Sequence, residues 1–215
     1  MKGETMRYLG MPSGMWLLFG RSFKKNLSTA LGSEKEEAAS IAKAAKSKYR
    51  EIVGSLPEFE RGDRFKMNIV SCAMLSSFYL SMRKKPSVEM MTGYYRDSMM
   101  TGAMKLFCRR SGRRTFTERY IEGMKRTARF RAADRNRYSW NMEFLPYPDG
   151  SGYEARFDKC GICTLMRELG VFEIVPAMCA LDYTMTEAGG TAVFERKYTL
   201  ASGGPYCDCG YRKKV

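Results

Sequence analysis

The chain has 215 residues, 44% of them hydrophobic and 28% charged, which is the composition of a globular protein with a sizeable core. It contains no histidine, which excludes Ser-His-Asp and Cys-His nucleophile systems, HExxH metalloprotease sites and histidine-containing zinc fingers. The 37 basic and 23 acidic residues give a net charge of +14, and such a field would attract nucleic acid, an acidic partner or an anionic substrate.

The N-terminal residues 1–32 show no clear hydrophobic period and are predicted to form a loosely packed lead-in segment. They show no signal peptide, and the longest uncharged run of the helical region, residues 67–82, is shorter than the roughly 20 residues of a membrane span. We therefore expect a cytoplasmic protein with no membrane partner. Thiols stay reduced in that compartment, and seven cysteines do not make a complete set of disulfides.

Two helices are predicted in the part of the chain that follows. The first begins at Ser33, with Glu36 completing a capping box, and ends before Pro57. Its apolar residues recur every three to four positions, so one face is expected to be buried. The second helix, residues 66–82, is apolar on almost every side, which is typical of a helix at the centre of a core.

Two more helices are predicted before the pattern changes. Ser87 is expected to begin a helix that continues to Cys108, and a capping box of Thr115 with Glu118 to begin the next. The segment 109–137 carries eleven Arg or Lys residues against three acidic ones. We interpret it first as a solvated helix face and second as a nucleic-acid-binding surface, because no recognisable nucleic-acid-binding motif accompanies the charge.

The C-terminal part of the chain alternates polar and apolar residues. From Tyr138 onwards two alternating stretches joined by PDGSG predict a β-hairpin, and a short helix that stops at Gly170 follows. TAVFERKYTL and YCDCGYRKK predict two more strands. The expected fold class is α+β, with a helical N-terminal half (33–137) packed on an antiparallel β-sheet of about four strands (138–215) in a single domain.

Five of the seven cysteines lie in this C-terminal part. Cys160 and Cys163 are three residues apart at a predicted strand–helix junction. Cys179 and Asp182 have the same spacing, which on a helical turn puts both side chains on one face. Each cysteine taken alone is best interpreted as a small buried hydrophobe, but the cluster as a whole favours a site.

The last predicted strand adds two more thiols. Cys207 and Cys209 are two residues apart and share one face of a strand, while Asp208 points the opposite way. If this strand packs beside the hairpin, three chain segments meet and supply three thiols and a carboxylate. Zinc accepts such ligands readily, so a zinc site is one interpretation of the cluster. Cys72 and Cys108 lie on predicted helices without polar neighbours and are assigned to the core.

The C-terminal string resembles the L-2-amino-thiazoline-4-carboxylic acid hydrolase family over KCGICTLMRELGVFEIVPAMCALDYTM and FERKYTLASGGPYCDCGY. The family pattern has a Cys-Gly-Ile start, a Pro-x-x-Cys-x-x-Asp segment, an Arg-Thr-x-Thr-Leu-x-x-Gly strand and a terminal Cys-Asp-Phe. The matching positions are Cys160, Gly161, Ile162, Pro176, Cys179, Asp182, Arg196, Thr199, Leu200, Gly203, Cys207 and Asp208. The chain departs from the pattern at Lys197, where threonine is usual, and at Cys209, where an aromatic residue is usual. Cys163 also lies outside the pattern.

The resemblance implies a hydrolase that opens a thiazoline-type C–N ring bond at the amidine-like carbon of a small carboxylated substrate. The implied catalytic residues, which are also the implied zinc ligands, are Cys160, Cys179, Asp182 and Cys207. In the metal version a zinc-bound water attacks the ring carbon. In the covalent version one of the thiols attacks and the carboxylate moves the proton. The implied substrate contacts are Arg196, as a bidentate fork on the carboxylate, and Thr199.

A different class of function also fits the cysteine cluster. A non-catalytic small-molecule-binding or zinc-binding domain would use the same cysteines structurally, and zinc removal would then unfold it. The residue pattern does not choose between a metal-ligand role and a nucleophilic role for the thiols. Both alternatives therefore stand beside the hydrolase interpretation.

Overall fold

The computed structural model describes residues 12–59, 63, 65–132 and 134–214, and these form an α+β fold as predicted. The helices are α1 (Pro12–Thr29), α2 (Lys35–Ser55), α3 (Lys66–Ser81), α4 (Val88–Met99), α5 (Gly102–Gly112), α6 (Glu118–Ala132), α7 (Gly161–Glu168) and α8 (Val175–Gly189). The strands are β1 (Glu143–Pro146), β2 (Gly152–Phe157), β3 (Ala192–Glu195) and β4 (Cys207–Lys213). Short 3-10 turns at Phe172–Ile174 and Leu200–Ser202 complete the C-terminal half.

Helix α1 corrects the prediction of a loosely packed lead-in for the described part of residues 1–32. Its inner stripe has a four-residue spacing and is at most 6% exposed. The stripe consists of Met15, Phe19, Phe23 and Leu27. The period is hidden in the sequence because apolar residues also occupy the outer face, where Leu17 is 81% exposed. Residues 1–11 lie outside the described residues.

Helices α2 and α3 form the predicted centre of the core. The predicted inner face of α2 is buried, and residues 69–79 of α3 are buried on every side. The predicted Ser33 cap is wrong, because Glu34 is the N-cap residue and its side chain makes no capping hydrogen bond. The amide of Ser33 instead donates to the carbonyl of Leu27 at 3.0 Å, so Ser33 belongs to the turn that closes α1. No helix in the described ranges is both long and apolar enough to cross a membrane.

The long helix predicted from Ser87 is two helices. Ser87 caps α4 as expected, since its hydroxyl accepts the amide of Met90 at 3.2 Å. The chain then leaves helical geometry at Met100, and the hydroxyl of Thr101 caps α5 by accepting the amide of Met104 at 3.3 Å. Thr101 thus begins a second helix. The sequence does not indicate this start, because the Met and Tyr residues continue across it without a break.

The capping residue of α6 lies two residues after the predicted one. Thr117 accepts the amide of Tyr120 at 3.4 Å, whereas the hydroxyl of Thr115 donates back to the carbonyl of Ser111 at 3.3 Å. Most of the arginines from α5 to α6 are exposed, in agreement with a solvated face, namely Arg109, Arg110, Arg113, Arg114, Arg119, Arg126 and Arg129. Arg131 is the exception, being 1% exposed. Nucleic-acid binding by this segment stays a prediction.

The predicted hairpin and the two later strands form one antiparallel sheet in the order β1-β2-β4-β3. Met142, Ala155, Phe194 and Cys209 form a small core on it, and α6 packs against this core. Helix α8 is the element that the sequence analysis does not predict beyond a single turn. It runs for 15 residues, contacts α4, α5 and β3, and ends at Gly190, whose φ is +78°. It joins the helical half to the sheet.

Candidate functional site

Four elements bring the predicted site residues to one region. Cys160 is the N-cap residue of α7, and Cys179 and Asp182 lie on the first half of α8. Cys207 begins β4, and Arg196 follows the end of β3. These groups lie within electrostatic range of one another, because the other four all influence the pKa of Cys179. The predicted residues therefore lie close together, although the chain separates them by up to 47 positions.

The sulfur of Cys160 lies where several hydrogen-bond donors converge. The Cys163 thiol, the amides of Cys163 and Ile162 and the Trp140 indole N–H all lie near it and favour its ionised form. The amides do not form a regular capping hydrogen bond, but they favour a negative charge at the helix N-terminus. The Cys163 thiol has the largest effect on the pKa of Cys160, and burial acts in the opposite direction. Together these groups lower the pKa of Cys160 to about 7. At pH 7, about half of the Cys160 side chains are therefore thiolates.

Gly161 fixes the position of Cys160 through a close backbone contact. A Cβ atom at Gly161 would lie 2.0 Å from the carbonyl oxygen of Tyr138 and 3.1 Å from Cδ1 of Ile69. No side chain fits between α7 and the segment before β1, so glycine is required here by space. The Cys-Gly-Ile motif thus places the thiol against the segment that carries Trp140.

The other thiols are protonated near neutral pH. Burial raises the pKa of Cys179 to about 12 and also raises the pKa of Cys207, although the Leu200 amide donates to the Cys207 sulfur at 3.3 Å. The hydrogen bond to Cys160, together with burial, raises the pKa of Cys163. Burial raises the pKa of the remaining thiols, Cys72, Cys108 and Cys209. All seven cysteines lie in the described residues, and Cys160 is the one whose pKa is lowered.

Asp182 and Arg196 form an ion pair at the edge of the thiol cluster. Arg196 donates to the Asp182 carboxylate at 2.8 Å and to the carbonyl of Cys179 at 2.7 Å. The Arg196 side chain is 6% exposed and that of Asp182 is 45% exposed. Burial raises the pKa of Asp182, and the charge of Arg196 opposes this. Because protein groups already occupy both ends of the Arg196 fork, its predicted contact with a substrate carboxylate stays a prediction.

Asp208 has a role that the sequence analysis does not assign. Its carboxylate accepts the amides of Lys197, at 3.0 and 3.1 Å, and Tyr198, at 2.6 Å. It therefore holds the loop that follows Arg196. Position 197 contributes its backbone amide, which explains why lysine fits where the family pattern has threonine. The hydroxyl of Thr199 accepts the Ser202 amide at 3.0 Å, so Thr199 shapes the same loop and its substrate contact stays a prediction.

A recess of about 160 Å³ lies beside Asp182, between α5, α8 and the sheet. Tyr153 and Tyr211 line it together with the Asp182 carboxylate, and the thiols of Cys160, Cys179 and Cys207 do not. Asp182 thus connects the recess with the thiol cluster.

The described side chains do not fit a zinc site. Within the described ranges, no group of three or more Cys, Asp or Glu residues is arranged to hold a metal ion. The contacts give the reason, because Asp182 is paired with Arg196 and the sulfurs of Cys160 and Cys207 already accept hydrogen bonds. Zinc therefore stays a sequence prediction.

Two contacts of the candidate nucleophile are missed by the sequence analysis. Cys163 is set aside there because it lies outside the family pattern, yet its thiol has the largest effect on the pKa of Cys160. A Cys-x-x-Cys pair at a helix start is the signal that could have identified it. Trp140 carries no such signal, because its contact with Cys160 arises only when α7 packs against the segment before β1.

We expect the rate of Cys160 alkylation by iodoacetamide to follow an inflection near pH 7. An ordinary thiol has a pKa of about 8.5, so at pH 6 Cys160 should carry on the order of 30 times more thiolate than such a thiol. Peptide mapping of the labelled protein from pH 5 to 9 measures this directly. Trp140→Phe removes one donor and should move the inflection to higher pH. An inflection above pH 8 in the unaltered protein would contradict the described environment of Cys160.

Comparison with known proteins agrees with the motif positions. No curated protein and no solved structure matches the chain. The family model for L-2-amino-thiazoline-4-carboxylic acid hydrolase matches residues 67–211, about two thirds of the chain, from α3 to β4. That range contains the thiolate at the start of α7, the ion pair on α8 and the Cys-Asp pair of β4. The chain therefore belongs to the L-2-amino-thiazoline-4-carboxylic acid hydrolase family.

Proposed function

We propose that the protein is a hydrolase that opens the ring of a 2-amino-thiazoline-4-carboxylate, with Cys160 as the nucleophile. The observation that carries the proposal is the set of donors around the Cys160 sulfur, which holds its pKa near 7. A thiolate, and not a thiol, is the attacking species in covalent catalysis by cysteine. Family membership supports this substrate class, and the lowered pKa of Cys160 supports a nucleophile that needs no histidine.

The first step forms a bond between the Cys160 sulfur and the ring carbon that carries the exocyclic nitrogen. The tetrahedral adduct then expels the ring nitrogen, which must take up a proton to leave as an amine. Asp182 is our candidate for the group that supplies this proton. Its 45% exposure leaves it accessible to substrate and water, and its bond to Arg196 holds it in place.

The second step releases Cys160 by hydrolysis. A water molecule adds to the carbon bound to Cys160 and loses a proton to the Asp182 carboxylate, which gave its own proton away in the first step. The carbon–sulfur bond to Cys160 breaks as the carbonyl forms, the remaining hydroxyl proton passes to the amine released in the first step, and the thiolate is regenerated. One water is consumed for each C–N bond that is broken, so the enzyme returns to its starting protonation state.

Arg196 is proposed to act mainly by positioning Asp182. Its two hydrogen bonds, to Asp182 and to the Cys179 carbonyl, hold the carboxylate on α8 in one orientation. Its charge also attracts an anionic substrate to this region. The loop that Asp208 organises carries Thr199 beside Cys207, and in this proposal Thr199 contacts the substrate once its bond to Ser202 is exchanged.

Turnover of L-2-amino-thiazoline-4-carboxylic acid by the purified chain, followed by product mass, tests the proposal. We expect ring opening with addition of one water. Iodoacetamide should abolish the activity in step with labelling of Cys160, and the substrate should slow that labelling. Absence of turnover by a folded, fully reduced chain would refute the proposed function, and inactivation that tracks labelling of Cys179 or Cys207 would refute the assignment of the nucleophile.

A further inference from the structure

Two sulfur atoms meet at the first turn of α7. Cys160 and Cys163 lie three residues apart on this turn, each affects the pKa of the other, and both cysteines are free in this structure. The hydrolytic reaction leaves Cys163 without a role of its own in bond making. We propose that Cys160 and Cys163 are a redox pair that closes reversibly into an intramolecular disulfide, with a low-molecular-weight disulfide as the oxidant.

The backbone of the turn already has the geometry that a disulfide needs. The Thr164 amide donates to the carbonyl of Cys160 at 3.2 Å, so residues 160–164 form a closed helical turn. The radius and rise of a helix separate Cα atoms three residues apart by about 5 Å. Disulfide-bonded cysteines have Cα separations of roughly 4.4 to 6.8 Å. Closure therefore requires rotation of two side chains rather than movement of the backbone, which Gly161 pins against Tyr138.

Differences in exposure give the two thiols different roles. Cys160 is half-buried and reachable, whereas Cys163 is 3% exposed. An external disulfide therefore meets Cys160 first. The Cys160 thiolate attacks one sulfur of the reagent, the reagent's S–S bond breaks, and its other half leaves as a thiolate that takes up a proton. The product is a mixed disulfide on Cys160.

Cys163 completes the exchange from inside the fold. It loses its proton, attacks the Cys160 sulfur and displaces the second half of the reagent as a thiolate, which takes up that proton. In sum, two cysteine thiols are oxidised to one disulfide and the external disulfide is reduced to two thiols. The two protons that leave the cysteines end on the two released thiols, so atoms, electrons and charge balance.

The neighbouring thiols are weaker candidates for the partner of Cys160. Cys179 and Cys207 lie on α8 and β4 and interact with Cys160 only over electrostatic range. Cys163, in contrast, lies on the same helical turn as Cys160, three residues further along the chain. The four-residue ring of a Cys160–Cys163 disulfide gains little from loop-closure entropy, so a dithiol reductant should reopen it easily.

The disulfide would remove the nucleophile from the site. That loss of hydrolysis rests on the proposed function, but formation of the disulfide does not. The full chain is therefore incubated with oxidised glutathione, denatured and alkylated with iodoacetamide, and its disulfides are mapped by mass spectrometry. We expect five of the seven cysteines to remain alkylatable, with Cys160 linked to Cys163, and all seven to be recovered after dithiothreitol.

Two variants make the outcome decisive. Cys163→Ser should stop at a glutathione mixed disulfide on Cys160, whereas Cys108→Ser, which changes a buried thiol on α5, should form the internal disulfide as the unaltered chain does. A link from Cys160 to Cys179 or Cys207, a mixed disulfide that persists in the unaltered chain, or seven alkylatable thiols would each overturn the proposal. If the Cys160–Cys163 link forms in a chain that does not hydrolyse the thiazoline, the inference stands and the proposed function fails.

Discussion

Replacement of Cys160 by serine is expected to lower kcat/KM for thiazoline ring opening by on the order of 10³-fold or more. The hydroxyl keeps the position of the sulfur at the start of α7, but it does not ionise near neutral pH. Such a loss corresponds to about 4 kcal/mol of transition-state stabilisation. Steady-state rates with L-2-amino-thiazoline-4-carboxylic acid for the unaltered and variant chains measure it, with urea unfolding to show that the variant folds.

Cys179→Ser is the matched comparison for this prediction. The same chemical change is made in the same cluster, but burial raises the pKa of Cys179 to about 12, so its thiol does not attack at neutral pH. We expect a loss of no more than about tenfold, arising from small shifts of the helix turn that carries Asp182. A larger loss for Cys179→Ser than for Cys160→Ser would move the nucleophile to α8 and reject the mechanism derived from the Cys160 environment.

The sequence predicts an element correctly where a single local pattern indicates it and no other pattern overlaps. The apolar run of α3, the Ser87 cap and the turn between β1 and β2 each specify their element without help from distant residues. Helices α1 and α8 are different, because apolar residues lie on several faces and no single stripe stands out. In α8 this reflects burial against α4, α5 and β3 together, which depends on the tertiary arrangement.

The candidate site shows the same division between local and distant causes. Spacing predicts that Cys179 and Asp182 share a helix face, and the motif identifies Cys160. Cys160 differs from the other thiols in the groups that surround its sulfur. One of these groups, Trp140, lies 20 residues away along the chain, so local spacing does not reveal it. The strand pattern indicates no partner for Arg196. In the fold, its guanidinium donates hydrogen bonds to the Asp182 carboxylate and to the backbone carbonyl of Cys179. These contacts depend on how the elements pack together, and residue spacing alone does not predict that packing.

Replacement of Arg131 by methionine is expected to destabilise the protein by about 3–5 kcal/mol, because it leaves a buried carboxylate unpaired. The side chains of Arg131 and Asp63 are 1% and 3% exposed, and their ion pair has an N–O distance of 2.7 Å. Arg131 also pairs with Asp134 and donates to Ser139, next to Trp140. Urea denaturation measures the free energy of unfolding, and the midpoint should fall with little change in slope.

Arg129→Met is the matched control, because Arg129 is an exposed residue of the same helix. It should change the free energy of unfolding by no more than about 0.5 kcal/mol. Combining Asp63→Leu with Arg131→Met should recover part of the stability, since the cost arises from the unpaired charge rather than from the lost attraction. If Arg131→Met alone is as stable as the unaltered chain, that account is wrong.

The Arg131 network also bears on the site. The Arg131 guanidinium lies 5.5 Å from the ring centre of Phe65, which in turn lies 5.3 Å from the ring centre of Trp140. Loss of Arg131 should therefore loosen the segment that donates to the Cys160 sulfur, and the inflection of Cys160 alkylation should rise above pH 7 even under conditions where the variant is folded. We therefore expect this buried arginine to support the Cys160 thiolate indirectly, through the contacts of Phe65 with Trp140.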